Sequence, residues 1–401
     1  MFVSSFFLIV SGYQFVKILK INNNFSATEN GLFGFILLGS ISLSINFILP
    51  LTEKINTIIF FILVFTFFMQ NRHEIAKIKK ILKTSFFVTF LSIIFISFSD
   101  SYRPDSFLYH FPYTNLINEH KILSGVSLVH FRFGHISMMQ YVDGIFNNFI
   151  NGKEGITLPI SMIFSLFFIF LLEEINRIFR NDKCLNFYSF FIILSFIFLC
   201  IRMNRYSDYG NDHPATIFFL YFIAIYIKNF NSYNLNIKKY LSLLATFIFT
   251  LKVFYFVPIV LCSFIWLKRI DFKIINLSNI TCLIILFFWL TKNILISGCL
   301  IYPVSFTCNS SLPWYNEKKV NFISAEKISI ASEAWAKNWN TFRKKETKQS
   351  TTIDKFSSQS KYIKDFNWVE EWSKVHGKYI ANKVLPLLIV ILIFYFLTKK
   401  N

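Results

Sequence analysis

Eleven stretches of this chain are apolar over lengths that reach or approach the thickness of a bilayer, and that feature removes most folds from consideration. The runs cover residues 2–16, 32–51, 55–69, 84–99, 156–175, 185–201, 215–227, 240–251, 253–267, 274–290 and 380–397. In hydrocarbon the backbone has no water to bond, so each run must satisfy its own N–H and C=O groups, and the period-two alternation of a barrel strand is absent. The expected fold class is therefore all-α, a polytopic integral membrane protein of about eleven transmembrane helices. Composition agrees, with 54% hydrophobic residues and 53 phenylalanines. The first run lacks a basic stretch before it and a small-residue cleavage site after it, so it reads as a retained helix.

Lysine and arginine set the expected orientation. Six clusters lie in short connections: Lys17/Lys20, residues 72–83, Arg177/Arg180/Lys183, Lys228/Lys238/Lys239, Lys268/Arg269/Lys273 and Lys399/Lys400. Placing all six inside puts the N-terminus outside and the C-terminus in the cytoplasm, a parity that eleven helices satisfy. The external loops are then 100–155, 202–214 and 292–379. These six clusters hold 18 of the 41 Lys and Arg residues, so topology and anionic lipid account for the formal charge of +19 without a nucleic-acid partner. Four regions follow: a three-helix membrane segment (1–83), a transmembrane core with its external loop (84–291), an extracytoplasmic segment (292–379), and a last helix with a basic tail (380–401).

One apolar block tests this topology. Basic pairs at Lys238/Lys239 and Lys268/Arg269 flank it on both sides, and a single crossing cannot have both ends inside. Two short helices meeting at Lys252 resolve the conflict, and a break at membrane depth is tolerated where it lines a polar cavity. An unpaired cation there costs about 2.5–3.5 kcal/mol. Lys252 is therefore a phosphate ligand, a snorkelling cation, or the partner of a carboxylate on another helix.

The first external loop has helical punctuation. Pro104 opens a short helix that puts Asp105 and Tyr109 on one face, and Pro112 is expected to end it. A second helix is expected over 115–124. A third, over 136–150, carries Met139, Val142 and Phe146 on one side, as a helix lying along the membrane surface would. His110, His130, Arg132 and His135 are the loop's other candidate polar groups.

This arrangement resembles the GT-C superfamily of membrane glycosyltransferases, and more narrowly the bacterial proteins of surface-polysaccharide synthesis related to dolichyl-phosphate-mannose and aminoarabinose transferases. The resemblance spans about residues 84–380. It rests on Asp105 with Tyr109-His110-Phe111-Pro112, on residues 207–214 (Ser-Asp-Tyr-Gly-Asn-Asp-His-Pro), on Thr250-Leu251-Lys252, and on Lys292-Asn293 running into Tyr302-Pro303. Ser106 stands where better-known members carry a second acidic residue, and the first three helices have no counterpart in the minimal family plan.

The resemblance implies sugar transfer from a polyprenyl-phosphate donor to a lipid-linked or polysaccharide acceptor, on the outer face of a bacterial plasma membrane. Asp105 is the expected general base, with Tyr109 and His110 positioning substrate. Lys252, Arg202, Arg205 and Lys292 are candidates for the lipid phosphate, whose charge grows in the transition state. Asp208, Asp212 and His213 form a second polar cluster. With Asp105 and His110 it could enclose a divalent metal, although the spacing is no ligand signature and no cofactor is required; Asp212 also reads as an N-cap before Pro214. Two other classes stay open: an O-antigen-type polymerase depending on Arg202 and Arg205, and a lipid or polysaccharide transporter.

Cys184, Cys200, Cys262 and Cys282 fall in or beside apolar runs and read as packing thiols. Cys299 and Cys308 lie outside, where an oxidising compartment permits a bridge worth about 2–3 kcal/mol. In the last external segment, 324–339 reads as amphipathic, with Ile328, Trp335 and Trp339 on one side. Residues 343–361 read as a mobile polar run. A further helix is expected from Asn367, with Glu370 completing a capping box and Trp368 and Trp372 side by side.

Overall fold

The computed structural model describes the chain except for residues 22–24, 99–103, 136, 181–185, 202–208, 231–233, 268–274, 316–323, 340–354, 387, 390, 393–395 and 397–401. Among the described residues the regular structure is helical, and two isolated β-bridges, Asn148 to Gly152 and Cys299 to Cys308, are the only strand-like pairings. The chain forms two units, Met1–Leu123 with Ile136–Lys292, and Ser124–His135 with Asn293–Asn401.

The first unit is built on α1 (Phe2–Ile18) and α2 (Ala27–Asn46). Every residue of α1 from Ser4 to Gly12 is buried, and α1 packs on α2, α3 (Glu53–Asn71) and α4 (Ile75–Ser97). Two glycines let α1 and α2 approach: a Cβ on Gly12 would lie 1.6 Å from the Asn30 carbonyl oxygen, and one on Gly34 2.1 Å from that of Leu8. The start of α2 precedes its apolar run because Ser26 and Glu29 form a capping box. Glu29 N–H donates to Ser26 Oγ at 3.2 Å, and Ser26 N–H to Glu29 Oε2 at 2.8 Å.

After these come α5 (Phe111–Glu119), α6 (Met138–Ile145), α7 (Leu158–Arg180), α8 (Phe187–Ile201), α9 (Asp212–Lys228), α10 (Leu235–Leu251), α11 (Val257–Leu267) and α12 (Leu277–Ser297). Five helical segments among the described residues are long and apolar enough to cross a membrane: α2, α3, α4, α12, and α7 with the short turn before it, Lys153–Arg180. Helices α1, α8 and α11 are apolar but shorter. Phe61, Ile62 and Phe65 on α3 and Phe86, Phe90 and Ile93 on α4 are exposed. Apolar faces of that extent suit lipid rather than water.

Three local expectations need correction. Pro112 does not end a helix. Residues Ser106–His110 form a wide π-turn, Phe111 N–H bonds back to Ser106 C=O, and the chain continues into α5 with Pro112 in its first turn. Proline is tolerated there because a first-turn residue needs no intrahelical N–H partner. The second helix accordingly stops at Glu119 instead of running over 115–124. The third is not a surface helix: all of Met138–Ile145 is buried, and α6 packs against α2, α5, α7 and α10. The expected break at Lys252 is present, for α10 ends at Leu251 and Lys252 takes extended backbone, φ −157° and ψ 112°.

In the second unit, Cys299 and Cys308 are disulfide-bonded. Trp314 Nε1–H donates to Ile294 C=O at 2.9 Å, and Gly125 N–H to Leu295 C=O at 2.8 Å, so residues 124–135 are tied to this unit. The amphipathic stretch forms α13 (Ala325–Ala336), in which Ile328 is buried but Trp335 is exposed, so the expected single face is not kept. The expected mobile run ends in a helix, α14 (Lys355–Lys364), that packs on α13. There Tyr362 is buried against Trp339 and donates to Lys337 C=O at 2.7 Å. Trp368 and Trp372 meet on α15 (Trp368–Trp372), but Asn367 makes no side-chain cap.

The α1–α2 contact makes a steric prediction. Gly12→Ala places a methyl inside the Asn30 carbonyl, whereas Gly144→Ala meets neighbours at an ordinary 3.5 Å. Gly12→Ala is expected to abolish the monodisperse peak of detergent-solubilised protein in size-exclusion chromatography, with Gly144→Ala retaining it.

Candidate functional site

Three segments singled out by sequence meet at one end of the first unit. The first is the turn with Asp105 and Tyr109, both half-buried, and His110, which is buried. The second is the connection into α9. Tyr209 stacks on Phe111 with ring centroids 4.2 Å apart, and its carbonyl accepts from Ser106 Oγ at 2.9 Å. A Cβ on Gly210 would lie 3.6 Å from His110 Nε2. The third is the α10 break, where Lys252 Nζ donates to Asp212 Oδ1 at 2.5 Å. Asp212, two residues beyond Gly210, begins α9; the N-cap is Asn211, which corrects the expectation for Asp212.

The Lys252–Asp212 pair joins the C-terminus of one helix to the N-terminus of another, so each charge also faces the favourable end of a helix dipole. Its side chains are 39% and 69% exposed, which places it among surface pairs worth about 0–1 kcal/mol. The same turn is held to α9 by Tyr255 and Thr216, whose hydroxyls lie 2.8 Å apart.

Beneath the site runs a ladder of buried polar pairs between α5 and α6. His110, Thr114 and Asn118 recur every fourth residue, and Gln140, Asp143 and Asn147 face them. The first rung is His110 Nδ1 to Gln140 Nε2, at 2.7 Å. Gln140 Oε1 accepts from Ser137 N–H, which fixes the amide orientation and makes Nε2 a donor. His110 Nδ1 must then accept, so the ring proton of the neutral tautomer sits on Nε2, toward Gly210. In the second rung the Tyr209 hydroxyl bonds Thr114 Oγ1 at 3.0 Å and also the Asp143 carboxyl. The third is Asn147 Nδ2 to Asn118 Oδ1, at 3.2 Å. Each such bond contributes about 0.5–1.5 kcal/mol, but orphaning one partner costs about 1–3 kcal/mol.

Asp143 was not singled out by sequence, nor was Gln140. The available signals were Ser137 three residues ahead of Gln140, a capping-box pattern, and one acidic residue in an otherwise apolar helix. Burial pushes the Asp143 carboxyl well above the usual carboxylate range, partly opposed by the Tyr209 hydrogen bond.

Arg202, Arg205 and Asp208 lie outside the described residues, as does Cys184. His213 is half-buried beside Phe164, ring centroids 6.2 Å apart. Lys292 is fully buried on α12 with its ammonium 5.1 Å from the Trp289 ring centroid. His130, Arg132 and His135 belong to the second unit, where His135 meets the Tyr302 ring edge-on. Among the described residues no three His, Cys, Asp or Glu side chains gather as a metal site.

The whole chain, residues 1–401, matches a family described as Domain of unknown function (DUF8201), and the protein belongs to that family. No curated protein and no solved structure matches it.

The state of Asp143 has a measurable consequence. A carboxyl whose folded pKa is raised contributes stability that is full below about pH 4 and is lost as pH rises through the folded value. Asp143→Asn keeps a polar partner for Tyr209 without that titration. The melting temperature of the variant minus that of wild type, in detergent, is expected to grow as pH rises from 5 to 9; a pH-independent difference rejects the neutral buried carboxyl.

Proposed function

We propose that the protein is a membrane glycosyltransferase of GT-C type that moves a sugar from a polyprenyl-phosphate donor to a lipid-linked or polysaccharide acceptor. In this reading about eleven helices cross the membrane, the N-terminus is outside, and the site faces the outer side of a bacterial plasma membrane. The observation that carries it is that one connection, Tyr209–Asp212, touches both the turn that bears Asp105 and the helix break at Lys252.

The chemistry assigns a part to each group. An acceptor hydroxyl attacks the anomeric carbon as the bond from that carbon to the phosphate oxygen breaks, and Asp105 takes the hydroxyl proton. Polyprenyl phosphate leaves with the bonding electrons, and its growing charge is met by Lys252. The weak pairing of Lys252 with Asp212 is easily exchanged for the donor phosphate, whose charge grows beyond that of a carboxylate as the phosphate monoester leaves. Displacement with a single carboxylate base gives inversion. His110, held by Gln140 with its Nε2–H toward Gly210, donates a hydrogen bond to a substrate oxygen, and Tyr109 packs against its ring at 4.2 Å.

Transfer from a radiolabelled polyprenyl-phosphate sugar in membranes tests the assignment. Asp105→Asn is expected to lower the rate by about 10²–10⁴ at unchanged protein level. Lys252→Ala should cost about 10²–10³, with partial recovery in Lys252→Arg. Undiminished transfer in Asp105→Asn removes that residue as base; if Arg202→Ala or Arg205→Ala then abolishes activity, the arginine-dependent polymerase class takes its place.

A further inference from the structure

A cleft lies at the other end of α9. Helix α9 has Asp212 at its start and Lys228 at its end, 17 residues and about 25 Å apart. Around Lys228 the ends of α7 and α9 and the start of α8 enclose a cleft of about 720 Å³. That volume is within the range of small-molecule sites, roughly 300–1,000 Å³.

The walls of the cleft divide by chemistry. Ile178, Phe187, Ile227 and Phe230 supply apolar surface, and Arg177 and Lys228 supply charge. Both cations are fixed by one carboxylate, Glu174: Lys228 Nζ lies 2.9 Å and Arg177 Nη1 2.9 Å from its Oε1, and Tyr188 donates to Oε2 at 2.7 Å. Glu174 is 3% exposed, whereas Lys228 and Arg177 are 31% and 56% exposed. Glu174 also lines the cleft, but both of its oxygens are taken up by these partners, and the two cations are the more exposed groups. Two further carboxylates lie behind it, Glu173 bonded to Thr28 and Glu29 bonded to Tyr221. Neither of these two lines the cleft.

We propose that this cleft binds the headgroup of an anionic phospholipid. The phosphate sits between Arg177 and Lys228, and the first methylenes of the lipid lie on Phe187, Ile227 and Phe230. A basic pocket between apolar helices, with an apolar floor, suits an amphiphilic anion; a small soluble anion uses only the cations. The proposal goes beyond glycosyl transfer and does not depend on it, since no residue is shared with the Asp105–Lys252 site.

Native mass spectrometry of the full chain in detergent, with phosphatidylglycerol or phosphatidylcholine added, reads the site directly. Wild type is expected to retain phosphatidylglycerol about tenfold more tightly than phosphatidylcholine, and Arg177→Gln to erase that difference. Lys228→Gln strips a buried carboxylate of a partner and can fail to fold, so the exposed Arg177 carries the test. Equal retention of the two lipids, or a preference unchanged in Arg177→Gln, overturns the proposal. Displacement of the lipid by inorganic phosphate at matching concentration overturns it too, because the site then belongs to a soluble anion.

Discussion

Three asparagine side chains hold α5 and α6 against α2 and α3, and the placement of the candidate site depends on them. Asn46 Nδ2, at the end of α2, donates to the carbonyls of Ile117 and His120, and Asn56 Nδ2, on α3, to those of Leu51, Gly144 and Asn147. Asn118 Nδ2 shares the Leu51 and Gly144 carbonyls. Carbonyls at the ends of α5 and α6 would otherwise be buried without donors, at a cost of about 1–3 kcal/mol each. The carboxamides therefore let a short, irregular loop sit inside the bundle. They also give the N-terminal helices a structural role, since α2 and α3 supply two of the three.

From that anchor the polar ladder carries order outward. Asn118 meets Asn147, Tyr209 meets Thr114 and Asp143, and His110 meets Gln140. Tyr209 is the shared element, because its ring, hydroxyl and carbonyl engage Phe111, Thr114 and Ser106 at once. The residues proposed to act on substrate thus rest on groups that never reach it. Such buried support is what keeps an active constellation within the tolerances that catalysis requires.

Sequence reached the fold at the level set by hydrophobicity and stopped where single hydrogen bonds decide. Apolar runs anticipated the helices of the first unit, and clashing charge clusters placed the break at Lys252. The start of α2 was missed because its capping box, Ser26 and Glu29, lies ahead of the apolar run. The course through Pro112 was missed because a π-turn has no compositional mark. Helix α6 was read as a surface helix because Met139, Val142 and Phe146 recur on one side; Gln140 and Asp143 are buried because His110 and Tyr209 supply polar partners. At the site, Asp105, His110, Asp212 and Lys252 were legible as polar residues beside helix ends. Gln140 and Asp143 were not, since their meaning comes from residues about thirty to seventy positions away in the chain.

The ion pair between Lys252 and Asp212 has a thermodynamic consequence. On the proposed mechanism, an anion that takes Lys252 in exchange for Asp212 leaves a carboxylate that a cation can occupy. Anion capture at the end of α10 and cation uptake at the start of α9 are therefore linked equilibria, each strengthening the other by the same factor. On that mechanism the affinity for an anion is coupled to the cations around the site through the chain's own internal competitor.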